Sequence, residues 1–215
     1  MEAEYYRFIS TPDTEYLPRM RELRKQLGDG ISISYDEWNA WVAWFRPGSI
    51  SEGIFAARFL NMLYMNAEEY GVSQACHFES VNEGSILVTP DRAVLTPTGH
   101  AIASMRDHAN SKICCLQDDV VATQKDGTVT LTLINRSYAQ EKSFYIPKTG
   151  ELASAILHSG EGVVPHTFFE ISELSVTEEQ AHFHAVLPAH SIAVVCPVAT
   201  LAAVQEFFMA LILHK

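Results

Sequence analysis

The hydrophobic period of this chain changes once, near Asn110, and that change limits what it can fold into. Before it, the pattern alternates helix and strand. Leu17, Met20, Leu23 and Leu27 recur at helical spacing. Thr11 is placed as N-cap, Pro12 at the first helical position, Asp13 and Glu15 near the positive end, and Gly28 as the stop. A strand follows at Ile31–Tyr35 and then a loop with Pro47 and Gly48. A helix from Ser51 to about Tyr70 carries the stripe Phe55, Phe59, Met62, Leu63 and Met65, and Gly71 ends it. Val72–Phe78 reads as a buried strand, Glu79–Pro97 as loop and Gly99–Ala109 as a further helix. Such an order implies parallel strands joined by right-handed crossovers.

From Lys112 the period becomes two. Cys114–Leu116, Val120–Gln124, Thr128–Asn135, Lys142–Pro147, Glu151–Leu157, Phe168–Leu174, His182–Leu187 and Ser191–Pro197 read as short strands. Asp126-Gly127 and Lys148-Thr149-Gly150 supply turns between them. Many short, closely spaced strands suggest an antiparallel β-sandwich. The expected class is therefore α/β followed by all-β, with domains at 1–110 and 111–200 and an apolar tail or helix at 201–215. Two βα pairs cannot cover both faces of a parallel sheet, and a (β/α)8 TIM barrel needs about 250 residues. Residues 1–110 read as roughly strands seven and eight of such a barrel. Their uncovered edges and an apolar face imply self-association into a homo-oligomer.

Composition narrows the partners. A net charge of −11 over 215 residues argues against a nucleic-acid surface and is compatible with a neutral ligand such as a sugar. No run of about 18 apolar residues, as a membrane span needs, is present. The first residues lack the apolar core of a secretory signal. Cys76, Cys114, Cys115 and Cys196 fit neither C-x-x-C nor a zinc spacing, so free buried thiols in a reducing, cytoplasmic compartment are expected. His182 and His184 share a strand face, but no third ligand lies nearby, and a solvated face is the better reading. Neither metal nor cofactor is expected.

The chemistry concentrates in Ile31-Ser32-Ile33-Ser34-Tyr35-Asp36-Glu37-Trp38-Asn39. Alternation puts Ile31, Ile33 and Tyr35 on one face and Ser32, Ser34 and Asp36 on the other. Adjacent carboxylates beside a Trp at a strand's C-terminal end are costly in a core and suited to a site, because strand C-termini display catalytic groups in α/β folds. A strand entering a solvated turn is the alternative. Trp38 and Trp41 can offer ring faces to a sugar or serve packing. Asn39 can donate to hydroxyls or cap the turn.

These features occur in a recognisable order. Asp36-Glu37-Trp38-Asn39 with Trp41 precedes a helix and a Val81-Asn82 element. Thr96-Pro97-x-Gly-His100 opens the last helix, and the final strand reads Leu187-Pro188-Ala189-His190-Ser191-Ile192-Ala193-Val194-Val195. The sequence resembles the C-terminal portion of the α-L-arabinofuranosidases of glycoside hydrolase family 51, in which a (β/α)8 barrel carries a C-terminal β-sandwich. The resemblance covers roughly residues 5–197. It implies a retaining hydrolase acting on arabinose-containing oligo- or polysaccharides such as arabinan and arabinoxylan, with two carboxyl groups about 5–5.5 Å apart. Glu37 matches the nucleophile, with Trp38, Asn39, Trp41 and Glu79 as substrate-binding positions. Glu79 stands where the family usually has a Gln. The family's acid/base, a Glu in an Asn-Glu pair after the fourth strand, precedes residue 1, so the chain alone is expected to turn over poorly or not at all. A non-catalytic carbohydrate-binding module and an inactive truncated product are the other readings. All three Trp lie near Glu37, which counts against the module.

Overall fold

The computed structural model describes residues 1–40, 48–117, 119–148 and 150–197, with the side chains of all but Cys115 and Leu116. Two helices open the chain, α1 (Glu2–Ile9) and α2 (Leu17–Leu27), joined by a π-helical turn at Pro12–Tyr16. Thr11 does not cap. Its backbone is helical (φ −51°, ψ −39°) and its hydroxyl bonds back to Phe8 O at 2.7 Å, the alternative open to Thr within a helix. Of the expected stripe on α2 only Met20 is buried, while Leu23 and Leu27 are exposed.

Strands β1 (Ile33–Trp38) and β2 (Val72–His77) pair in parallel, with α3 (Ile50–Tyr70) as the crossover between them. The strand starts at Ile33, two residues later than expected, because Ile31 is 51 % exposed and unpaired with β2. Helix α3 begins one residue earlier than its periodicity suggests. Ser49 and Glu52 form a reciprocal capping box there, satisfying donors that a helix start leaves open. Gly71 closes it with φ +65°, a left-handed position that costs glycine little. Every residue from Ile50 to Phe59 is buried. Phe8 stacks on Phe55 at 5.1 Å and Tyr16 meets Phe59 edge-on at 5.1 Å. The buried guanidinium of Arg58 donates to both Asp13 carboxylate oxygens at 2.7 and 2.8 Å. Such a pair compensates the cost of desolvating the charge.

The loop expected at Glu79–Pro97 contains a hairpin, β3 (Ile86–Val88) with β4 (Ala93–Leu95). Its short apolar runs lacked the length that marks a strand in sequence. Helix α4 (Pro97–Met105) starts at the proline and gives way to a 3-10 turn at Arg106–His108. The face of the β1–β2 pair turned from α3 carries Ser34, Asp36 and Gln74, all exposed and polar, so the apolar face expected there is corrected. Exposed apolar groups in this part sit instead on Leu23, Leu27 and the hairpin residues Leu87, Val88 and Leu95.

The remaining strands are β5 (Lys112–Gln117), β6 (Val120–Lys125), β7 (Thr128–Asn135), β8 (Lys142–Pro147), β9 (Leu152–Ser159), β10 (Glu170–Glu173), β11 (Val176–Glu178), β12 (His182–Leu187) and β13 (Ser191–Pro197). They form a six-stranded sheet in the order β10-β9-β13-β7-β6-β5 and a three-stranded sheet, β11-β12-β8. All of these pairings are antiparallel. One hydrophobic cluster draws on both sheets, including Leu131, Leu133, Phe144, Phe183, Leu187 and Val195. Alternation puts such residues on one face of each strand. Two units result: Met1–Ala103 with Gly160–Phe169, and Ser104–Ser159 with the chain from Glu170 onward. The division therefore lies inside α4 rather than near Asn110, and residues 160–169 join the first unit. The tail expected at 201–215 lies outside the described residues. Cys76, Cys114 and Cys196 are free and half-buried rather than buried. No helix among the described residues is long and apolar enough to cross a membrane.

His108, 1 % exposed, lies across the six-stranded sheet between two threonines. The Thr132 hydroxyl spends its hydrogen on Ser104 O at 3.2 Å, so it accepts from His108 Nε2–H at 2.8 Å. Nδ1 then accepts from the Thr123 hydroxyl at 2.8 Å. This neutral tautomer fills both ring nitrogens, and burial pushes the imidazole pKa down to about 4 despite the opposing pull of Asp107. Because the folded value lies below the unfolded 6.5, the unfolded chain binds a proton that the folded chain refuses in that window. Stability present above pH 6.5 is lost as pH falls toward 4, by about 3 kcal/mol from this one group. Urea melts of the parent and of His108→Gln across pH 4–7 check this: the variant is weaker at pH 7 and shows a shallower decline. Parallel declines in the two would refute it.

Candidate active site

The C-terminal ends of β1 and β2 lie side by side, Trp38 pairing with His77 and the Phe78 amide donating to Trp38 O at 3.1 Å. Between Tyr35↔Ala75 and Trp38↔His77, β1 advances three residues while β2 advances two. This bulge resets the alternation. Ile33, Tyr35 and Trp38 take the side covered by α3, while Asp36 and Glu37 are both exposed. Strict alternation places the two carboxylates on opposite faces; the inserted residue breaks that rule, as bulges near sites commonly do. Asp36 accepts from Ser34 Oγ at 2.7 Å, which holds it along the strand. Glu37 is left as the outermost carboxylate before the buried Trp38. Glu79, also exposed, follows β2 on the same edge of the pair, and the peptide joining it to Phe78 is cis.

The remaining proposed contacts fall differently. Trp38 is 2 % exposed and stacks on Phe59 at 4.6 Å and 21°, with His77 edge-on at 4.9 Å. Its ring faces belong to the core, which corrects the expectation of a sugar platform. Asn39 is 3 % exposed, and its amide donates to Phe78 O at 2.7 Å and Glu83 O at 2.9 Å. An amide has two N–H bonds, so none remains for a sugar hydroxyl. Its Oδ1 accepts from Ala40 N at 2.7 Å. Asn39 is thus the turn residue of its two sequence readings, clamping the loop that carries Glu79 to the end of β1. Trp41 lies outside the described residues.

Beneath that loop His77 Nδ1 and Ser85 Oγ are 3.1 Å apart, and burial lowers the His77 pKa, which favours the neutral ring. Gly84 packs against this imidazole: a Cβ there would come within 2.4 Å of His77 Cε1 and 2.6 Å of Glu79 O. Sequence reasoning missed His77, Ser85 and Gly84, since their roles arise only when β2 and its loop fold back on each other. A cleft of about 480 Å³ lies at the opposite pole, beside the strand starts, among Arg24, Asp29, Ser32, Glu68 and Ser73. Its guanidinium is committed to helix-end carbonyls: Nε reaches Tyr70 O at 2.8 Å and Nη1 reaches Gly28 O at 2.6 Å. His182 bonds Glu179 at 2.9 Å while His184 stacks on Tyr145 at 4.7 Å. Among the described residues no group of three His, Cys, Asp or Glu side chains is arranged for a metal.

No family model matches the sequence, and no curated protein matches it significantly. Solved structures do. The chain superposes on a thermostable family 51 α-L-arabinofuranosidase from Thermotoga petrophila with a TM-score of 0.73 at 20 % identity, over 89 % of this chain and 50 % of that one. Against the family 51 enzyme from Bifidobacterium longum the TM-score is 0.72 at 16 % identity, over 93 % and 50 %. The fold is that of half a family 51 arabinofuranosidase. The Thermotoga maritima α-L-arabinofuranosidase, described as an arabinose complex, agrees at a TM-score of 0.66 and 19 % identity, over 89 % and 49 %. This chain spans about half the length of these structures, as a C-terminal portion would.

Removing the Asn39 clamp tests how the site is held. Asn39→Ala strips the Phe78 and Glu83 carbonyls of their donor and lowers the unfolding free energy by about 1–3 kcal/mol in urea titration. Asn39→Asp, which keeps the size and loses the donors, is destabilised as well. Parent-like stability in both variants would show that these bonds do not hold the loop.

Proposed function

We propose that this chain is the C-terminal part of a retaining α-L-arabinofuranosidase, with Glu37 as nucleophile. On this reading β1 and β2 are strands seven and eight of a (β/α)8 barrel, and the two antiparallel sheets form the accompanying β-sandwich. The observation that carries the proposal is the bulge-exposed Glu37 at the end of a parallel strand, in a fold shared with known arabinofuranosidases. A carboxylate on a hydrogen-bonded strand end, beside a buried ring, attacks with little reorganisation. Asp36, tied to Ser34, supports the strand end rather than reacting. Glu79, exposed just after β2, is assigned the contact to sugar hydroxyls. The substrate class is a terminal arabinofuranosyl group of arabinan, arabinoxylan or their oligosaccharides.

On this reading the acid/base Glu of the pair is not among these residues. General acid assistance typically contributes 10²–10⁴-fold. Natural glycosides, whose leaving groups need a proton, are therefore turned over poorly by this chain alone. An activated aryl glycoside needs no such proton. The Glu37 carboxylate forms a bond to the anomeric carbon, the bond to the aryl oxygen breaks, and dinitrophenolate leaves with the electron pair.

Incubation with 2,4-dinitrophenyl α-L-arabinofuranoside, followed by peptide mass spectrometry, is expected to find a pentosyl ester on Glu37. Glu37→Gln forms none, and its release of dinitrophenolate falls to the uncatalysed rate. An ester on another residue, or equal release by Glu37→Gln, would overturn the assignment.

A further inference from the structure

Part of the cap of α3 comes from far along the chain. The chain leaves β9 at Ser159, contributes Gly160–Phe169 to the first unit and returns as β10. Ser159 pairs with Glu170, so residues 160–169 are the loop of a hairpin whose base is closed by β9 and β10. Within this strap the Thr167 hydroxyl accepts from Ile50 N–H at 3.0 Å and donates to Val164 O at 2.7 Å. The His166 amide donates to Gly48 O at 3.2 Å, and Ser51 Oγ donates to Val163 O at 3.2 Å. Val163 and Phe169 are buried, while Val164 and Phe168 between them are exposed.

Close backbone approach fixes the strap against the helix. A Cβ at Gly53 would stand 2.6 Å from Phe169 Cε2 and 2.8 Å from Pro97 O. One at Gly160 would stand 2.5 Å from Phe168 O and 2.7 Å from Ile50 Cδ1. The capping box joins Ser49 to Glu52, which leaves the Ile50 amide to Thr167, 117 positions later.

The strap is only as secure as the strand that returns from it. β10 lies at the edge of the six-stranded sheet, pairs with β9, and all its residues are exposed. Short exposed elements open at a lower free energy than core strands. We propose that β10 and residues 160–169 form a latch. Pairing of β10 with β9 holds the strap across the start of α3, and release of β10 loosens that start while β7 and β13 stay folded. The inference does not rest on the role of Glu37. Its effect falls on the helix whose Phe59 stacks on Trp38.

Proline substitution in β10 tests the latch with its own control. Adjacent residues of an antiparallel strand alternate between pairs that exchange ladder bonds and pairs that do not. Of Ile171→Pro and Ser172→Pro, one therefore removes an N–H bonded to β9, and is marked by faster exchange of β9 amides. The other removes an N–H that faces away, which an edge strand tolerates. In native-state hydrogen exchange, the ladder-breaking variant is expected to speed the Ile50, Glu52 and Gly53 amides about fivefold, the scale of losing one cap. β7 and β13 stay at parent rates, and the second proline variant behaves as the parent. Thr167→Val, which removes the hydroxyl but keeps the shape, reproduces the acceleration at α3, and Thr167→Ser does not. Faster exchange in β9 with α3 at parent rates overturns the latch. Acceleration that reaches β7 and β13, or is equal in both proline variants, overturns it as well. Parent-like exchange in Thr167→Val shows that the strap does not hold α3 and sinks the proposal even if the proline variants fail to fold.

Discussion

The stacking of Phe59 on Trp38 is the contact on which the first unit depends. It joins the middle of α3 to the last residue of β1, and both partners are almost wholly buried. Rings of this size dominate core energetics; removing one such as Phe59 typically costs about 3–5 kcal/mol. Because Trp38 directly follows Glu37, packing strength and the position of the carboxylate are set by the same pair of neighbours. The aromatic residue beside the acid serves as its anchor. His77 adds an edge to the same ring, so the end of β2 is fastened at the same point.

A bulge makes this compatible with exposure. Had β1 kept strict alternation, Glu37 would follow Ile33 and Tyr35 toward α3, where an unpaired carboxylate is costly. One extra residue moves Trp38 inward and turns Asp36 and Glu37 outward together. Asn39 then spends its amide on the neighbouring loop, and Thr167, far along the chain, accepts from the Ile50 amide at the start of α3. The edge is therefore built from elements far apart in sequence, each supplying one or two hydrogen bonds.

Much of the frame was legible in the chain. The end of α3 followed from Gly71 while its Ser49–Glu52 capping box went unread, and β7, β8, β12 and β13 fall where their alternation put them. These are the elements whose pattern is long enough to be periodic. The hairpin β3–β4 and strand β11 escaped, because three residues carry no period. Thr11 had the right residue type for a cap but helical backbone, since the π-turn continues the helix through it. Trp38 and Asn39 were recognised as site neighbours, yet their roles needed the tertiary partners Phe59, Phe78 and Glu83.

By itself the sequence determined the order of elements, the change from helix-strand to strand-strand pattern, and the adjacency of Asp36, Glu37 and Trp38. Those are properties of neighbouring residues, where propensity, period and capping act over a few positions. Only the tertiary structure decided which of the three faces solvent, because the bulge is defined by pairing with β2. It alone assigned residues 160–169 to the first unit, since the bonds that hold them there, such as Thr167 to Ile50, join residues 117 positions apart. Contacts at that separation leave no period in a sequence.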